Sequence, residues 1–199
     1  MARWEAPTSD VAASAAYGSF LDVEGLALDS GAFGISVLEI RSMDPQQSFV
    51  LHAGYAALVY GSNNAQIVRD GLVYSNVGVF VGVEPSGRVV KEATNVFSAT
   101  GGAASITSGR FSYALGLVGP CYTIDTACSS ALAALHVCTA ALLRVECDRS
   151  ASVGTKVLSE AANYGTAVAG MTSLLGRCHT FDGRADGYCR GEGCGAFCV

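Results

Sequence analysis

The sequence GPCYTIDTACSSALAAL, residues 119–135, changes abruptly from one type of secondary structure to another. Residues 122–124, Tyr-Thr-Ile, are aromatic or β-branched and are typical of a short strand. The next two residues, Asp-Thr, interrupt this pattern, and an alanine-rich segment that favours a helix begins at Ser129. The sequence therefore places Cys128 at the turn between a strand and a helix.

A cysteine in this position has two interpretations. The N-terminus of a helix presents unpaired N–H groups and the positive end of the helix dipole, and both favour a thiolate, the nucleophilic form of cysteine. Cys128 is then a candidate nucleophile. The alternative is that Cys128 is a small buried residue that only fills space in the core. The spacing of the residues alone does not decide between them.

Further motifs occur in a fixed order along the chain: MDPQQ at 43–47, GRFSYALGL at 109–117, GRCHTFD at 176–182 and ADGYCRGEGCG at 185–195. Together with DTACSSAL, they resemble the M-D-P-Q-Q, G-R-I-S-Y-x-L-G-L, G-R-C-K-T-F-D, A-D-G-Y-x-R-G-E-G-C-G and D-T-A-C-S-S motifs of β-ketoacyl synthases. The form is that of type I polyketide synthases and fatty acid synthases. The nucleophile motif departs from the family once, with Cys121 where serine is usual.

The resemblance implies a fold and a reaction. The fold is the α/β, thiolase-like mixed-sheet sandwich, and residues 1–199 correspond to its N-terminal half, a partial domain that lacks the family's first strand. The reaction is an acyl transfer followed by decarboxylative condensation with a malonyl-derived unit, as in polyketide or fatty acid biosynthesis. By resemblance, Cys128 is the catalytic residue that carries the acyl chain, and its backbone N–H is an oxyanion donor.

The resemblance also implies partners. The substrates are thioesters on the phosphopantetheine arm of an acyl carrier protein, and no cofactor is bound to the enzyme itself. The family is homodimeric, with the strand that precedes the nucleophile, residues 121–124 here, beside the two-fold axis. Pairing with a second copy satisfies an otherwise open sheet edge.

Other features favour a second hypothesis, a catalytically inactive ketosynthase remnant that acts as an interaction module. The family's two further catalytic histidines belong to H-G-T-G-T and N-x-G-H stretches, and neither stretch occurs in residues 1–199. The chain also has Thr-Ala at 166–167 and Leu-Leu at 174–175, where the family often has Phe-Ser and Pro-Asp. We therefore expect residues 1–199 alone to be inactive in condensation.

Composition excludes several other classes of function. Half of the 199 residues are hydrophobic, and only 15% are charged, against about 25% in a typical protein. A net charge of −5 argues against a nucleic-acid-binding protein. The start of the chain has no apolar signal segment, and the longest apolar run, 131–143, is shorter than the ~20 residues that span a bilayer. These features predict no membrane association and a cytoplasmic location, with an organelle interior as the alternative.

The eight cysteines raise a third possibility, a thiol-redox or metal-binding protein. Five potential metal ligands lie close in sequence near the end of the chain: Cys178, His179, Cys189, Cys194 and Cys198. However, they contain no C-x-x-C pair, and their gaps match no common zinc spacing. The sequence therefore predicts reduced thiols and no metal site.

Several segments are predicted to be structural. Residues 77–83 form a continuous apolar run, which is typical of a strand buried on both faces of a parallel or mixed sheet. The small residues of 100–108 match no phosphate-binding pattern and indicate close helix packing. His52 is expected to be a structural histidine of one helix. His136 is too far along the helix after Cys128 to be its base, at roughly 12 Å.

The MDPQQ motif predicts a capped helix. Asp44 is the expected N-cap, Pro45 the first helical residue, and Gln47 the residue that completes a capping box by returning a hydrogen bond to the cap. The apolar spacing predicts that one face of the helix is buried. That face consists of Phe49, Ala53, Ala56, Ala57 and Tyr60.

Overall fold

The structure is a computed structural model that describes residues 15–21, 28–60, 71–87 and 94–199. They belong to two compact units, one formed by Val23–Lys156 with Gly193–Val199 and the other by Met1–Asp22 with Val157–Glu192. The expectation of a missing first strand falls on residues 1–14, outside the described residues. The helices are α1 (Ser30–Phe33), α2 (Val37–Ser42), α3 (Pro45–Tyr60), α4 (Ser98–Gly101), α5 (Ile106–Leu115), α6 (Ser130–Leu143) and α7 (Glu160–Val168), and the strands are β1 (Val77–Val83), β2 (Cys121–Ile124), β3 (Arg149–Lys156) and β4 (Gly193–Cys198).

The described residues of the larger unit form a four-stranded sheet with the order β2-β1-β3-β4. Strand β1 pairs in parallel with β2 and with β3, whereas β4 runs antiparallel to β3. All seven residues of β1 are buried, as expected for a central strand that contains no polar residue. The predicted buried strand and mixed sheet are confirmed.

Helices cover both faces of this sheet because side chains of β1 alternate between two cores. Val79 and Val81 belong to a core that includes residues of α3 and α5, such as Val50 and Phe111. Phe80, between the two valines, points to the opposite face and packs in a second core with residues of α6. The sheet therefore separates α3 and α5 from α6.

The MDPQQ segment begins α3, but only half of the predicted capping box forms. The Asp44 carboxylate accepts a hydrogen bond from the Gln46 N–H (2.9 Å), as an N-cap should. The Gln47 side chain does not return to Asp44, whose own N–H donates to the carbonyl of Gly101 (2.8 Å). Instead, the Gln47 amide donates to the same Gly101 carbonyl (2.9 Å) and accepts from Arg110 Nε (2.7 Å). The expected capping box is wrong, because the Gln47 side chain forms a hydrogen bond with the buried Arg110 of α5 instead.

The predicted buried face of α3 is also wrong apart from Phe49. Tyr60 is 87% exposed, and the three alanines of the predicted face are only half-buried. The buried face includes Gln47, Leu51, Gly54 and Leu58. The helix is apolar around most of its circumference, so the pattern of apolar residues did not identify the side that meets the sheet and α5.

The segment 100–108 forms the end of α4 and the start of α5, and close packing there is confirmed. A Cβ atom on Gly101 would overlap the carbonyl oxygen of Ser42 at the end of α2. Only glycine permits this approach between the two backbones.

The smaller unit holds α7 and two isolated bridges. The Ser159 hydroxyl caps α7 by accepting a hydrogen bond from the Ala162 N–H (3.4 Å). The Glu192 carboxylate accepts hydrogen bonds from the backbone N–H groups of Leu21 and Leu158, both at 2.8 Å. Charged hydrogen bonds of this kind are stronger than neutral ones, so Glu192 joins both chain segments of this unit. None of the described helices has the length and apolar character needed to span a membrane.

Candidate active site

The candidate nucleophile follows β2, an edge strand of the sheet, as the sequence predicts. After Ile124, the Asp125 carboxylate accepts a hydrogen bond from the Ala127 N–H (2.9 Å), which closes a tight turn. Ala127 has φ 54°, a left-handed conformation that alanine rarely adopts. A 3₁₀ turn, Ala127–Ser129, follows and leads directly into α6. Cys128 lies in this turn and is exposed, so the alternative of a buried, space-filling cysteine is wrong.

Two serines hold the turn in place. The Ser130 hydroxyl accepts a hydrogen bond from the Thr126 N–H (2.8 Å) and donates one to the Ala127 carbonyl (2.7 Å), and Ser130 itself is buried. The Ser129 hydroxyl donates to the Thr126 carbonyl (2.8 Å). The hydroxyl groups of the two residues that follow Cys128 therefore satisfy backbone groups that the chain reversal leaves without helical partners.

Two glycines in the sheet allow α6 to begin at this place. Gly82 of β1 and Gly154 of β3 are direct neighbours in the sheet. A Cβ atom on Gly82 would overlap the carbonyl of Ser130, and one on Gly154 would lie 2.6 Å from the Cβ of Ala131. The first turn of α6 thus rests on two adjacent strands at positions that have no side chains. This contact sets the height of Cys128 above the sheet.

Strand β2, which pairs with β1 in the sheet, is also held by hydrogen bonds to α5. The hydroxyls of Ser108 and Thr123 form a hydrogen bond of 2.8 Å, and the Ser108 N–H also donates to the Thr123 hydroxyl (3.3 Å). Cys121 lies on the same strand, where burial raises the pKa of its thiol above the ordinary value. The residue that departs from the family motif is therefore a packed, less acidic thiol.

Burial distinguishes the thiols of the chain. Cys128 and Cys178 are exposed. Burial raises the pKa of the remaining six thiols, with that of Cys194 reaching about 11: Cys121, Cys138, Cys147, Cys189, Cys194 and Cys198. Of the two exposed thiols, only Cys128 precedes a long helix, so geometry and exposure agree on it as the candidate nucleophile.

The structure does not bring His52 or His136 to Cys128. His52 lies on α3, on the face of the sheet opposite α6, where its ring meets that of Phe33 edge-on with centroids 5.9 Å apart. His136 lies on α6 and is exposed, two turns beyond the start of the helix. Neither histidine is a candidate base for the thiol, in agreement with the sequence. Among the described residues, no group of three or more His, Cys, Asp or Glu side chains is suited to hold a metal ion.

The sequence did not reveal the buried polar network that joins two of its motifs. Arg110 donates to Gln47 and forms an ion pair with Glu39 of α2, so MDPQQ and GRFSYALGL are in direct contact. The charge of Arg110 in an apolar stretch was the available signal, because a buried arginine requires partners. This network supports α5, which in turn contacts β2.

Comparisons with known proteins agree with this geometry. The family model of the β-ketoacyl synthase N-terminal domain matches residues 2–199. The chain is 40% identical over 184 residues to the non-reducing polyketide synthase spyA of Aspergillus fumigatus, covering 89% of this chain and 10% of that protein. It is 37% identical over 184 residues to a mycocerosic acid synthase-like polyketide synthase of Mycobacterium tuberculosis, covering 89% and 8%, respectively.

A solved structure shows the same fold. The ketosynthase from module 6 of the bacillaene synthase of Bacillus subtilis 168 superimposes with a TM-score of 0.79 at 30% identity. The superposition covers 94% of this chain and 31% of that one, so the chain spans about a third of the ketosynthase and a tenth or less of the polyketide synthases above. The fold is therefore that of the thiolase-like ketosynthases. The chain belongs to the β-ketoacyl synthase family, as part of its N-terminal domain.

Proposed function

We propose that this chain forms the nucleophile-bearing part of a polyketide synthase ketosynthase, and that Cys128 is the residue that carries the acyl group. The observation that carries the proposal is the exposed Cys128 thiol in a turn locked by Ser130 at the start of α6. Family membership supports the reaction class, the condensation of an acyl thioester with a malonyl-derived unit.

The proposed first step is acyl transfer. The Cys128 thiolate attacks the carbonyl carbon of an acyl thioester, and the new carbon–sulfur bond forms as charge moves to the carbonyl oxygen. The backbone N–H of Cys128 is the proposed donor to that oxygen. The tetrahedral intermediate collapses by breaking the original carbon–sulfur bond, and the released thiolate takes up a proton.

The proposed second step is condensation. A malonyl thioester loses carbon dioxide, and the electron pair left on its α-carbon attacks the acyl group on Cys128. A carbon–carbon bond forms, the bond to Cys128 sulfur breaks, and the Cys128 thiolate is regenerated. We propose that two histidines, which the family holds in motifs absent from residues 1–199, stabilise the charge that develops as carbon dioxide leaves.

The proposed partners follow from family membership. The substrates are carried on the phosphopantetheine arm of an acyl carrier protein. The second partner is another copy of the same chain, with β2 of each copy beside the two-fold axis. Its position supports this, because β2 pairs with β1 on one side only in the described sheet. Light scattering of the complete ketosynthase domain would give a dimer, and a monomer at micromolar concentration would contradict the assembly.

The acyl-transfer step can be tested on residues 1–199. The chain would be incubated with a short acyl thioester of N-acetylcysteamine, and its intact mass would be measured. We expect one acyl group on the native chain and on Cys178→Ala, and none on Cys128→Ala. Cys178 is the matched control because it is the other exposed thiol. Loss of the adduct in Cys178→Ala, but not in Cys128→Ala, would overturn the assignment.

A further inference from the structure

Two thiols lie close together in the smaller unit. They are Cys178 in the motif at 176–182 and Cys189 in the motif at 185–195. The backbone N–H of Cys189 donates a hydrogen bond to the sulfur of Cys178 (3.1 Å). The Cys178 S–H also donates a hydrogen bond to the carbonyl oxygen of Cys189, with 3.6 Å between sulfur and oxygen. Both residues are free thiols. The sulfur of Cys178 is therefore packed against the backbone of Cys189.

The Cys178 sulfur lies close to the Cα of Cys189. Because an N–Cα bond is about 1.5 Å long, the sulfur of Cys178 lies within about 4.6 Å of the Cα of Cys189. The sulfur of Cys189 is attached to that Cα through one methylene group, and it now lies 3.7 Å from the carbonyl oxygen of Arg190. Formation of the ~2.05 Å sulfur–sulfur bond requires the Cys189 side chain to rotate to another staggered position and the Cys178 sulfur to turn from the Cys189 backbone towards it.

The backbone around Cys189 is held in place. On one side, Tyr188 forms a bridge with Thr172, in which the Tyr188 N–H donates to Met171 O (3.1 Å) and its carbonyl accepts from Ser173 N–H (3.0 Å). On the other side, Gly191 forms a bridge with Ser19. These flanking bridges restrict the movement that would otherwise separate the two thiols.

The two thiols differ in ways that assign them separate roles. Cys178 is exposed, and its sulfur accepts the hydrogen bond from the Cys189 N–H. Cys189 is half-buried, and burial together with the nearby Cys178 raises the pKa of its thiol. An oxidant in solution therefore reaches Cys178 first, and Cys189 is in position to react with the product.

We propose that Cys178 and Cys189 form a peroxide-oxidisable thiol pair, a modification site independent of the proposed role of Cys128. The Cys178 thiolate attacks one oxygen of hydrogen peroxide, the oxygen–oxygen bond breaks, and a sulfenic acid and hydroxide result; the hydroxide takes up a proton and becomes water. The Cys189 thiolate then attacks the oxidised sulfur, a sulfur–sulfur bond forms, and the sulfur–oxygen bond breaks; the hydroxide that leaves takes up a proton and becomes the second water. Two thiols and one peroxide give one disulfide and two waters.

Trypsin digestion can detect this disulfide directly. Cleavage after Arg177, Arg184 and Arg190 separates the two thiols into the peptides CHTFDGR, with Cys178, and ADGYCR, with Cys189. The disulfide joins these peptides into one species that reduction by dithiothreitol separates again. The test would use the whole chain carrying Cys128→Ser, so that the candidate nucleophile consumes no peroxide.

The protein would be treated with limiting hydrogen peroxide, its remaining thiols would be blocked with iodoacetamide, and the digest would be analysed by mass spectrometry. We expect the linked peptides to form at least about tenfold faster in the folded chain than in urea, because the fold holds the thiols together. With Cys189→Ser, Cys178 should stop as a sulfenic acid that dimedone traps. Cys194→Ser, a control that removes a partly buried thiol outside this pair, should leave the link intact.

Two results would overturn the proposal. One is oxidation of Cys178 beyond the sulfenic acid, while Cys189 in the same folded chain is recovered as a free, alkylated thiol. The other is a rate of linkage in the folded chain no higher than in urea. Both results are obtained with Cys178 and Cys189 in place, so they do not depend on how variants at these two positions fold.

Discussion

Gly82 in β1 lies directly beneath Ser130, the first residue of α6, with no space for a side chain between them. A Cβ atom on Gly82 would overlap the Ser130 carbonyl and lie 2.5 Å from the Ala131 nitrogen. The atoms in the way belong to the backbone, so they cannot move aside as a side chain can. The position of the helix that follows Cys128 therefore depends on the absence of a side chain in the neighbouring strand.

We expect Gly82→Ala to destabilise the fold and displace the start of α6. Overpacking of a core costs about 1–3 kcal/mol, and a clash with backbone belongs at the upper end of that range. Urea denaturation would measure the free energy of unfolding. Gly195→Ala is the matched control, because Gly195 is also a strand residue of this sheet but has no atom within 4 Å of its would-be Cβ. Equal stability of the two variants would contradict the proposed contact.

We expect Ser130→Ala to loosen the turn that presents Cys128. The substitution removes one hydrogen bond to Thr126 N–H and one to the Ala127 carbonyl, and it leaves these groups without the buried hydroxyl. Each such hydrogen bond contributes about 0.5–1.5 kcal/mol net to stability. The variant should lose stability in urea, and Cys128 should lose reactivity towards iodoacetamide at neutral pH. Ser129→Ala, which removes exposed hydrogen bonds, should have a smaller effect on both quantities. The reverse order would contradict the account.

The stability of the fold should fall in alkaline solution because of Cys194. Burial raises the pKa of this thiol from 9.0 to about 11. The thiol form, which the fold favours, contributes fully below pH 9, and this contribution is lost as the pH rises from 9 through about 11. The loss is on the order of 2 kcal/mol. Urea denaturation at pH 8 and pH 10.5 should show a smaller fall for Cys194→Ala than for the native chain. An equal fall would contradict the assignment, since other groups that titrate there are common to both proteins.

We expect residues 1–199 alone to produce no β-ketoacyl thioester from acyl and malonyl substrates. Loss of one oxyanion donor typically costs ~10²–10³ in rate, and the two family histidines belong to motifs absent from these residues. Leu132 and Leu143 of α6 are 70% and 81% exposed, so poor solubility is also expected. Product analysis by mass spectrometry would test this. A β-ketoacyl product that disappears in Cys128→Ala would show that the required groups lie within this chain.

The sequence predicted those parts of the fold that depend on local patterns. The run of residues 77–83 could be recognised as a buried strand because no polar residue interrupts it. The start of α6 could be placed because Asp125 interrupts the strand pattern of β2, whereas the exposure of Cys128 was left open by the spacing of the residues.

Features that depend on tertiary partners could not be predicted. Gln47 fits a capping box, but the carbonyl of Gly101 and the guanidinium of Arg110 offer it buried hydrogen bonds instead. The segment after Cys128 is rich in apolar residues, but only one side of α6, with Ala134 and Cys138, is buried against the sheet. Leu132 on another side is exposed because composition indicates how much of a helix is apolar, but not what covers it.

Protection of thiols from alkylation tests the central claim, that Cys128 is the acyl-carrying nucleophile, most directly. The folded chain would be exposed to an acyl thioester, then to limiting iodoacetamide at neutral pH, and label at each of the eight cysteines would be measured. Trypsin leaves Cys121, Cys128 and Cys138 in one peptide, residues 111–144. This peptide must therefore be fragmented in the mass spectrometer to locate the label. We predict that Cys128 is labelled first without thioester and protected with it, while labelling of Cys178 is unchanged. Faster labelling of Cys121 or Cys178, or no protection of Cys128, would contradict the claim.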